Sequence, residues 1–350
     1  MSLRHPFFKW FNSRAPLPDS IRHTRVLHIG GYWRGPNDMV HHMLMGLEAA
    51  GAQVLEYDTD QHPEALDTGS RPYDRGNHGP VWICEECLRD QLNRFNPHVV
   101  VCNAGGLSFQ PEVAKKIRRK RYLLGIALSD PDVFMPTTRF IAPCFDLFLT
   151  NDRSLVPEYR RLGANAAPLI LGTNENYWHP VPPMEKYRTD VLIIGRAHPE
   201  RIEPVREILS RFDTTVYGEG WEEYGIASRG TLYGEETLHA LNSAGIVPIF
   251  LTNPGGTTRY VKIGVLDFIS AGALLITDCL PDVEEYFTFG KEIIGFSTTE
   301  ELISKIAYFL SHPEEAETIR NSGSSRARRE HGWSNVWPKI LSMLNRGRHL

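Results

Sequence analysis

The sequence predicts an α/β protein built as two doubly wound domains that face one another across a cleft. Three observations carry that expectation. Apolar runs rich in valine, isoleucine and leucine end repeatedly at glycines or acids, and each is followed by residues with helical spacing. The connections are short, which implies parallel strands with helices laid over them. The alternation stops once, where three prolines crowd between His179 and Pro183, and then starts afresh. A chain of 350 residues is also too long for one ordinary core and suits two.

In order along the chain, "RVLHIGG" from Arg25 reads as a strand with a glycine exit. "NDMVHHMLMGLEAAG" follows as a helix stopped by Gly51, and "AQVLEYD" as a second strand. "CEEC", Cys84 to Cys87, has metal-type spacing but no second pair, so a helix leading into "LRDQL" is the better reading. "HVVVCNAGG" is a strand and "PEVAKKIRR" a helix with proline near its start. "YLLGIALSD", "FDLFLTND" and "AAPLILG" supply three more strands. Beyond the proline break come the strand "DVLIIG", a helix from Glu203, the strand "TTVYGEG" and the helix "EETLHALNSAG". The strand "IVPIFLT", the helix "VKIGVLDFISAG" and the strand "ALLITD" complete the second unit. The expected division is an arm over 1–20, a first domain over 21–178 and a second over 179–332. A last helix over 333–350, beginning at Trp333, would cross back to the first domain.

Composition narrows the class. Apolar content of 41% and charged content of 23% are those of a soluble globular protein. A net charge of −4 argues against a nucleic-acid binder, no apolar run suits a membrane span, and no cleavable signal is evident. Five cysteines do not suggest a disulfide framework, so the cytoplasm is the expected compartment. Two basic segments leave a peripheral membrane contact open. "HPFFKWF" sets aromatics beside His5, Lys9 and Arg14, and "KKIRRKR" spans Lys115 to Arg121; a packed arm and a solvated helix end are the plainer readings.

Chemistry should lie outside the carboxyl ends of the strands. In "VLIIGRAHPER" two guanidinium groups, Arg196 and Arg201, leave one strand end together, which suits an anion. In "NPGGTTRYVK" Gly255 and Gly256 let a backbone approach a ligand closely. Thr257 and Thr258 are expected at the next helix start, with Arg259 and Lys262 adding charge: an anion site in combination. On the first domain, Gly30, Gly31 and Tyr32 form a cleft loop on the acceptor side, with His41 or His42 beside it. Asp130 and Asp132 end a strand where acceptor-side groups should lie; a turn cap is the plainer reading of both, and Asp130 is the one that could touch substrate. A two-domain dehydrogenase would explain Asp58 after the second strand, but "GGYWRG" lacks the required glycine spacing. A two-lobed binding protein would normally be exported.

"IGRAHPERIEPVREIL" resembles the GR-x-x-x-x-K-G strand-to-helix motif of family-4-type glycosyltransferases with the GT-B fold, which pairs two Rossmann-like domains. "VYGEGW", "GTLYGEETLHALNSAGIVPIFLT" and "DFISAGALLITD" resemble later segments of the same enzymes, and the likeness is closest to the spore-maturation CgeB-like group. The resemblance implies hexosyl transfer from a nucleotide-diphosphate sugar, UDP-linked by preference, to an acceptor hydroxyl. It implies a metal-independent, retaining reaction and no cofactor beyond that co-substrate. Arg196 stands at the motif's arginine, Arg201 replaces its lysine, and Ile202 replaces its glycine. The donor-ribose acid falls on Asp267, and the family's upstream acid falls on Arg259. The other donor contacts implied are Gly195, Gly218, Thr231, Leu232, Gly255, Gly256, Thr257, Thr258 and Lys262. A nucleotide-sugar epimerase of this fold, or a catalytically silent sugar-nucleotide or partner-binding protein, are the alternatives.

Overall fold

The computed structural model describes residues 14, 16–30, 38–58, 81–83, 85–103, 107–109, 111–253 and 256–346. Gly31, Tyr32, Gly255, Cys84 and residues 1–13 therefore lie outside the described residues, as does the side chain of Cys87.

The first unit runs β1 (Arg25–Gly30), α1 (Met39–Ala49), β2 (Gln53–Asp58), β3 (Val81–Ile83), α2 (Glu85–Phe95), β4 (Val99–Asn103) and β5 (Leu107–Phe109). It continues through α3 (Pro111–Lys120), β6 (Tyr122–Ala127), α4 (Arg139–Ile141), β7 (Leu147–Thr150), α5 (Val156–Arg161) and β8 (Ala166–Pro168). Six strands form one sheet in the order β2-β1-β4-β6-β7-β8, and every pairing is parallel. All residues of β4 and β6 are buried, as expected for central strands covered on both faces. β3 and β5 pair separately as a two-stranded sheet, which the sequence pattern did not suggest. "CEEC" leads into α2, as expected of a helical segment.

The second unit runs β9 (Thr189–Ile194), α6 (Pro199–Leu209), β10 (Thr214–Tyr217), α7 (Glu235–Ser243), β11 (Ala244–Ile249), α8 (Ile263–Ser270), β12 (Leu275–Asp278) and β13 (Ile294–Phe296). Three helices end the chain: α9 (Thr299–Ser311), α10 (Pro313–Glu330) and α11 (Trp333–Arg346). Its five-stranded sheet has the order β10-β9-β11-β12-β13, again all parallel. The chain steps outward from β9 to β10 and returns past β9 to β11, so the carboxyl ends of β9 and β11 flank a switch point where ligands bind in such sheets.

Two helix starts differ from expectation. α6 begins at Pro199 rather than Glu203, because proline suits a first helical turn, and Arg201 therefore lies inside that turn. α8 begins at Ile263 with Lys262 as its cap, so Thr257 and Thr258 do not start a helix.

The two units are joined at several points. Arg153 reaches the second domain through Glu285 at 2.5 Å and Asp282 at 3.7 Å. The Tyr286 hydroxyl accepts from the Leu171 amide at 3.2 Å. α11 crosses back to the first domain and packs on α1, where the fully buried Trp337 donates from Nε1 to the Met43 carbonyl at 2.7 Å. That contact needs a glycine. A Cβ on Gly46 would lie 2.1 Å from the Trp333 Cβ, so Gly46→Ala must push α11 away from α1. Overpacking of this kind costs about 1–3 kcal/mol, more than the ~1 kcal/mol alanine gains over glycine within a helix. Thermal denaturation should show the variant melting several degrees below the parent; an unchanged or raised midpoint would mean that the helices separate freely.

Candidate active site

The site is built on the exits of β9 and β10. Gly218 has φ +135°, and a Cβ there would sit 2.0 Å from the Gly195 carbonyl oxygen, so only glycine lets the two strand ends approach this closely. Trp221, fully buried beneath them, donates from Nε1 to the same Gly195 oxygen at 2.9 Å. The two turns are thus locked together, and Arg196 leaves them from a fixed point.

Above these exits is a cavity of about 410 Å³. It brings together six residues singled out in the sequence: Gly195, Arg196, Gly218, Thr231, Leu232 and Asp267. Met39, from the first turn of α1, closes it from the first domain, so the cavity belongs to the cleft between domains. Trp178 and Phe268 add aromatic walls, with ring centroids 6.0 Å apart. Trp178 is held by His42, whose Nδ1 accepts from the indole Nε1 at 3.2 Å. His42 is thereby the buried member of the His41–His42 pair, and His41 is half-buried.

Arg196 is half-exposed and its Nη2 meets the Glu219 carboxylate at 2.6 Å. Glu203, on the neighbouring helix α6, pairs instead with Arg206 at 2.7 Å. Arg201 does not share the cavity with Arg196. It turns beneath the strand exit, donates from Nη1 to the Arg196 carbonyl at 3.1 Å and lies 5.9 Å from the centre of the Phe250 ring. There it lines a second cavity of about 210 Å³ with Glu200, Thr252, Asp278 and Thr298. Lys262 also points inward, donating to the carbonyls of Phe250 at 2.7 Å and Thr252 at 2.8 Å.

These cations crowd one another. Burial, then the charge of Arg201, pulls the Lys262 ammonium down to about 8. Burial, then Arg201 and Lys262, pulls His198 down to about 4, and burial lowers Arg201 as well. Glu200 and Asp278 oppose that crowding, each favouring the charged forms of Arg201 and Lys262.

Four expectations are corrected or bounded. The amides of Thr257 and Thr258 both donate to Asn253 Oδ1, at 2.9 and 3.0 Å, so that side chain takes the donors that a free helix end would have offered. Arg259 is exposed and its backbone bridges Thr252 in antiparallel fashion. Gly30 closes β1 beside Asp58. Asp130 is not in the cleft: it is wholly buried, accepting from Thr150 at 2.6 Å and Tyr159 at 2.8 Å.

Asp267 lines the cavity while its Oδ1 accepts from the Thr173 hydroxyl at 2.7 Å. Burial raises its carboxyl to about 8 against an ordinary 3.8, with the Thr173 bond opposing the rise. The folded value lies above the unfolded one, so folding takes up a proton and stability falls as pH rises between those values. Asp267→Asn cannot lose that proton. In thermal melts its midpoint should gain on the parent from about pH 5 to pH 8. A constant gap across that range would mean that Asp267 is ionised throughout.

Residues 197–342, most of the second domain, match a family model described as glycosyl transferase-like. No curated protein matches in sequence. Among solved structures, sucrose-phosphate synthase of Thermosynechococcus elongatus superposes with a TM-score of 0.60 at 14% identity, over 93% of this chain and 98% of that one. HepE of Anabaena, in complex with UDP-glucose, gives 0.61 at 12% identity, over 93% and 100%. AviGT4, a glycosyltransferase of avilamycin A biosynthesis, gives 0.55 at 13% identity, over 92% and 97%. The fold is GT-B. With the family match to the second domain, it supports a glycosyltransferase.

Glu219, Trp221, Met39, Trp178 and Phe268 were not singled out from the sequence. Glu219 and Trp221 do stand in "VYGEGW", where a strand exit carrying an acid and a tryptophan was visible. Met39 and Phe268 carry no local mark and become site residues only through packing.

Proposed function

We propose that the protein transfers a sugar from a nucleotide-diphosphate donor, UDP-linked by preference, to an acceptor hydroxyl. The observation that carries this reading is the cavity where Arg196, two glycine strand exits and Asp267 meet under aromatic walls. The nucleobase and ribose would lie against Thr231, Leu232 and Asp267, and the diphosphate would run past Gly195 to Arg196. HepE, of similar fold, is described bound to UDP and to UDP-glucose. Charge develops on the leaving diphosphate as the glycosidic bond breaks. Fixed cations there stabilise that charge, and Arg196, with Arg201 and Lys262 behind it, would do so without a divalent ion. We further propose retention of anomeric configuration. Among the described residues, the carboxylates lining the cavity, Glu219 and Asp267, both come from the donor domain, whereas inversion calls for a base on the acceptor side. Within glycosyltransferases we place the chain nearest the CgeB-like group, on "VYGEGW" and "ALLITD", working in the cytoplasm.

A ribose hydroxyl pair favours the ionised form of Asp267. Donor binding near neutral pH should therefore release a proton. Calorimetric titration with UDP in buffers of different ionisation enthalpy reads this directly. The wider test is incubation with UDP-, GDP-, ADP- and dTDP-sugars, following thermal shift and product together. Transfer or hydrolysis supports the reading, an epimer or glycal points to epimerisation, and binding without turnover points to a silent binder. No shift with any of the four overturns it.

A further inference from the structure

We propose that one face of the first domain, formed by the exposed side of α3 and the segment Met135–Phe140, binds the surface of an anionic lipid bilayer. The proposal goes beyond sugar transfer and does not rest on it.

The charge comes first. α3 buries Val113, Ala114 and Ile117 in the core and ends in Arg118, Arg119 and Lys120. Arg118 is spoken for: it pairs with Asp146 at 3.1 Å and donates to the Pro143 carbonyl at 3.3 Å. Arg14 meets the same Asp146 at 2.8 Å, so that carboxylate is already matched twice. Lys115, Arg119 and Lys120 are exposed, and none of them makes an ion pair among the described residues. A protein of net charge −4 thus gathers cations on one helix.

The second observation is apolar. Met135 and Phe140 are 58% and 54% exposed, among the most exposed large apolar side chains described. Arg139 joins them: its Nη1 lies 3.6 Å from the Met135 sulfur, and its guanidinium carbon is 4.3 Å from the Phe140 ring centre. The chain after Phe140 runs directly into Pro143, which Arg118 of α3 holds. Cationic and apolar parts therefore adjoin. Arg14 is fixed at the same place.

Headgroups of anionic lipids attract such cations, and side chains like Met135 and Phe140 enter the interface once the surface is near. A nucleic acid would match the cations but gain nothing from the methionine. The bilayer surface satisfies both.

Co-sedimentation of the full chain with vesicles tests this, using phosphatidylcholine alone and phosphatidylcholine mixed with phosphatidylglycerol. Binding is expected to the mixed vesicles only, and to fall as salt is raised. Lys115→Gln/Arg119→Gln/Lys120→Gln should weaken it at least tenfold, and Met135→Ser/Phe140→Ser should do the same at low salt. All these sites are exposed, so melting and UDP-induced thermal shift should stay at parental values, which separates lost docking from lost fold. Equal binding to both vesicle types overturns the proposal. So does unchanged binding of the triple variant, including the case in which only removal of residues 1–13 abolishes it. A concentration-dependent dimer that Met135→Ser/Phe140→Ser dissolves would likewise overturn it, assigning the face to a second copy of the chain.

Discussion

Arg196→Ala is expected to cut turnover by on the order of a hundredfold or more, the usual consequence of removing a fixed donor from a developing charge. Its melting temperature should barely move. The one ion pair Arg196 makes among the described residues, to Glu219, joins side chains that are 54% and 63% exposed, and pairs of that kind are worth about 0–1 kcal/mol. Arg196→Lys should recover part of the loss, since the charge returns without the planar fork. Turnover on the nucleotide sugar identified by the panel, divided by folded fraction, is the measurement. A variant that melts much earlier but turns over normally per folded molecule would make Arg196 a structural residue.

Arg201 should behave differently, because it stands behind the turn and touches the Arg196 carbonyl rather than the cavity. Arg201→Ala removes one hydrogen bond, worth about 1 kcal/mol net, but also relieves the crowding with Lys262 and His198. The melting temperature should stay close to that of the parent while turnover drops through a loosened Arg196. A direct sign of the relieved crowding would be an NMR titration in which His198 takes up its proton at higher pH than in the parent. An unmoved His198 midpoint would break the electrostatic link between these groups.

The contrast between these two arginines shows where the sequence was legible. Strands such as "DVLIIG" and "HVVVCNAGG" declare themselves because a buried parallel strand must be apolar throughout and must end where the chain turns. The cavity residues on their exits follow from that geometry, which is why Gly195, Arg196 and Gly218 were found together. What failed was direction. Arg196 and Arg201 differ by five residues, but α6 starts between them at Pro199, so the first leaves from the strand exit while the second sits in the helix's first turn and points under it. Thr257 and Thr258 had the composition of a helix start, but Asn253, four and five residues earlier, captures their amides in a turn. Such a competition is settled by a single side-chain rotamer, which no periodicity reports. β13 and the β3–β5 pair, three residues each, are too short to show a period.

Asp130 is the case in which position was right and direction was not, and its replacement should give the largest loss of stability. It follows β6 at the carboxyl edge of the sheet, but its carboxylate turns into the domain. Oδ2 accepts from Thr150 and Tyr159 and Oδ1 from Thr138 at 3.4 Å, while Asn151 bonds both its amide and its carbonyl. Asp130→Ala would take the carboxylate partner from two buried hydroxyls, leaving Thr150 only the Asp152 carbonyl at 3.4 Å and Tyr159 only the Thr138 hydroxyl, at about 1–3 kcal/mol each. At ~3 kcal/mol in all, and ~2–4 °C per kcal/mol for a domain of this size, the melting temperature should fall by roughly 6–12 °C. The loss should depend on pH. Burial raises the Asp130 carboxyl to about 6 from 3.8, with its hydrogen bonds opposing. Folding therefore takes up a proton between those values, and the group's contribution is greatest below them and declines as pH rises through them. The alanine variant has no such proton, so its deficit should be larger near pH 4 than near pH 7. Turnover per folded molecule should match the parent, because no cavity-lining atom is removed. If Asp130→Ala instead melts with the parent and loses turnover, the carboxylate reaches substrate after all, and the hydrogen bonds to Thr150 and Tyr159 do not hold it in the working enzyme.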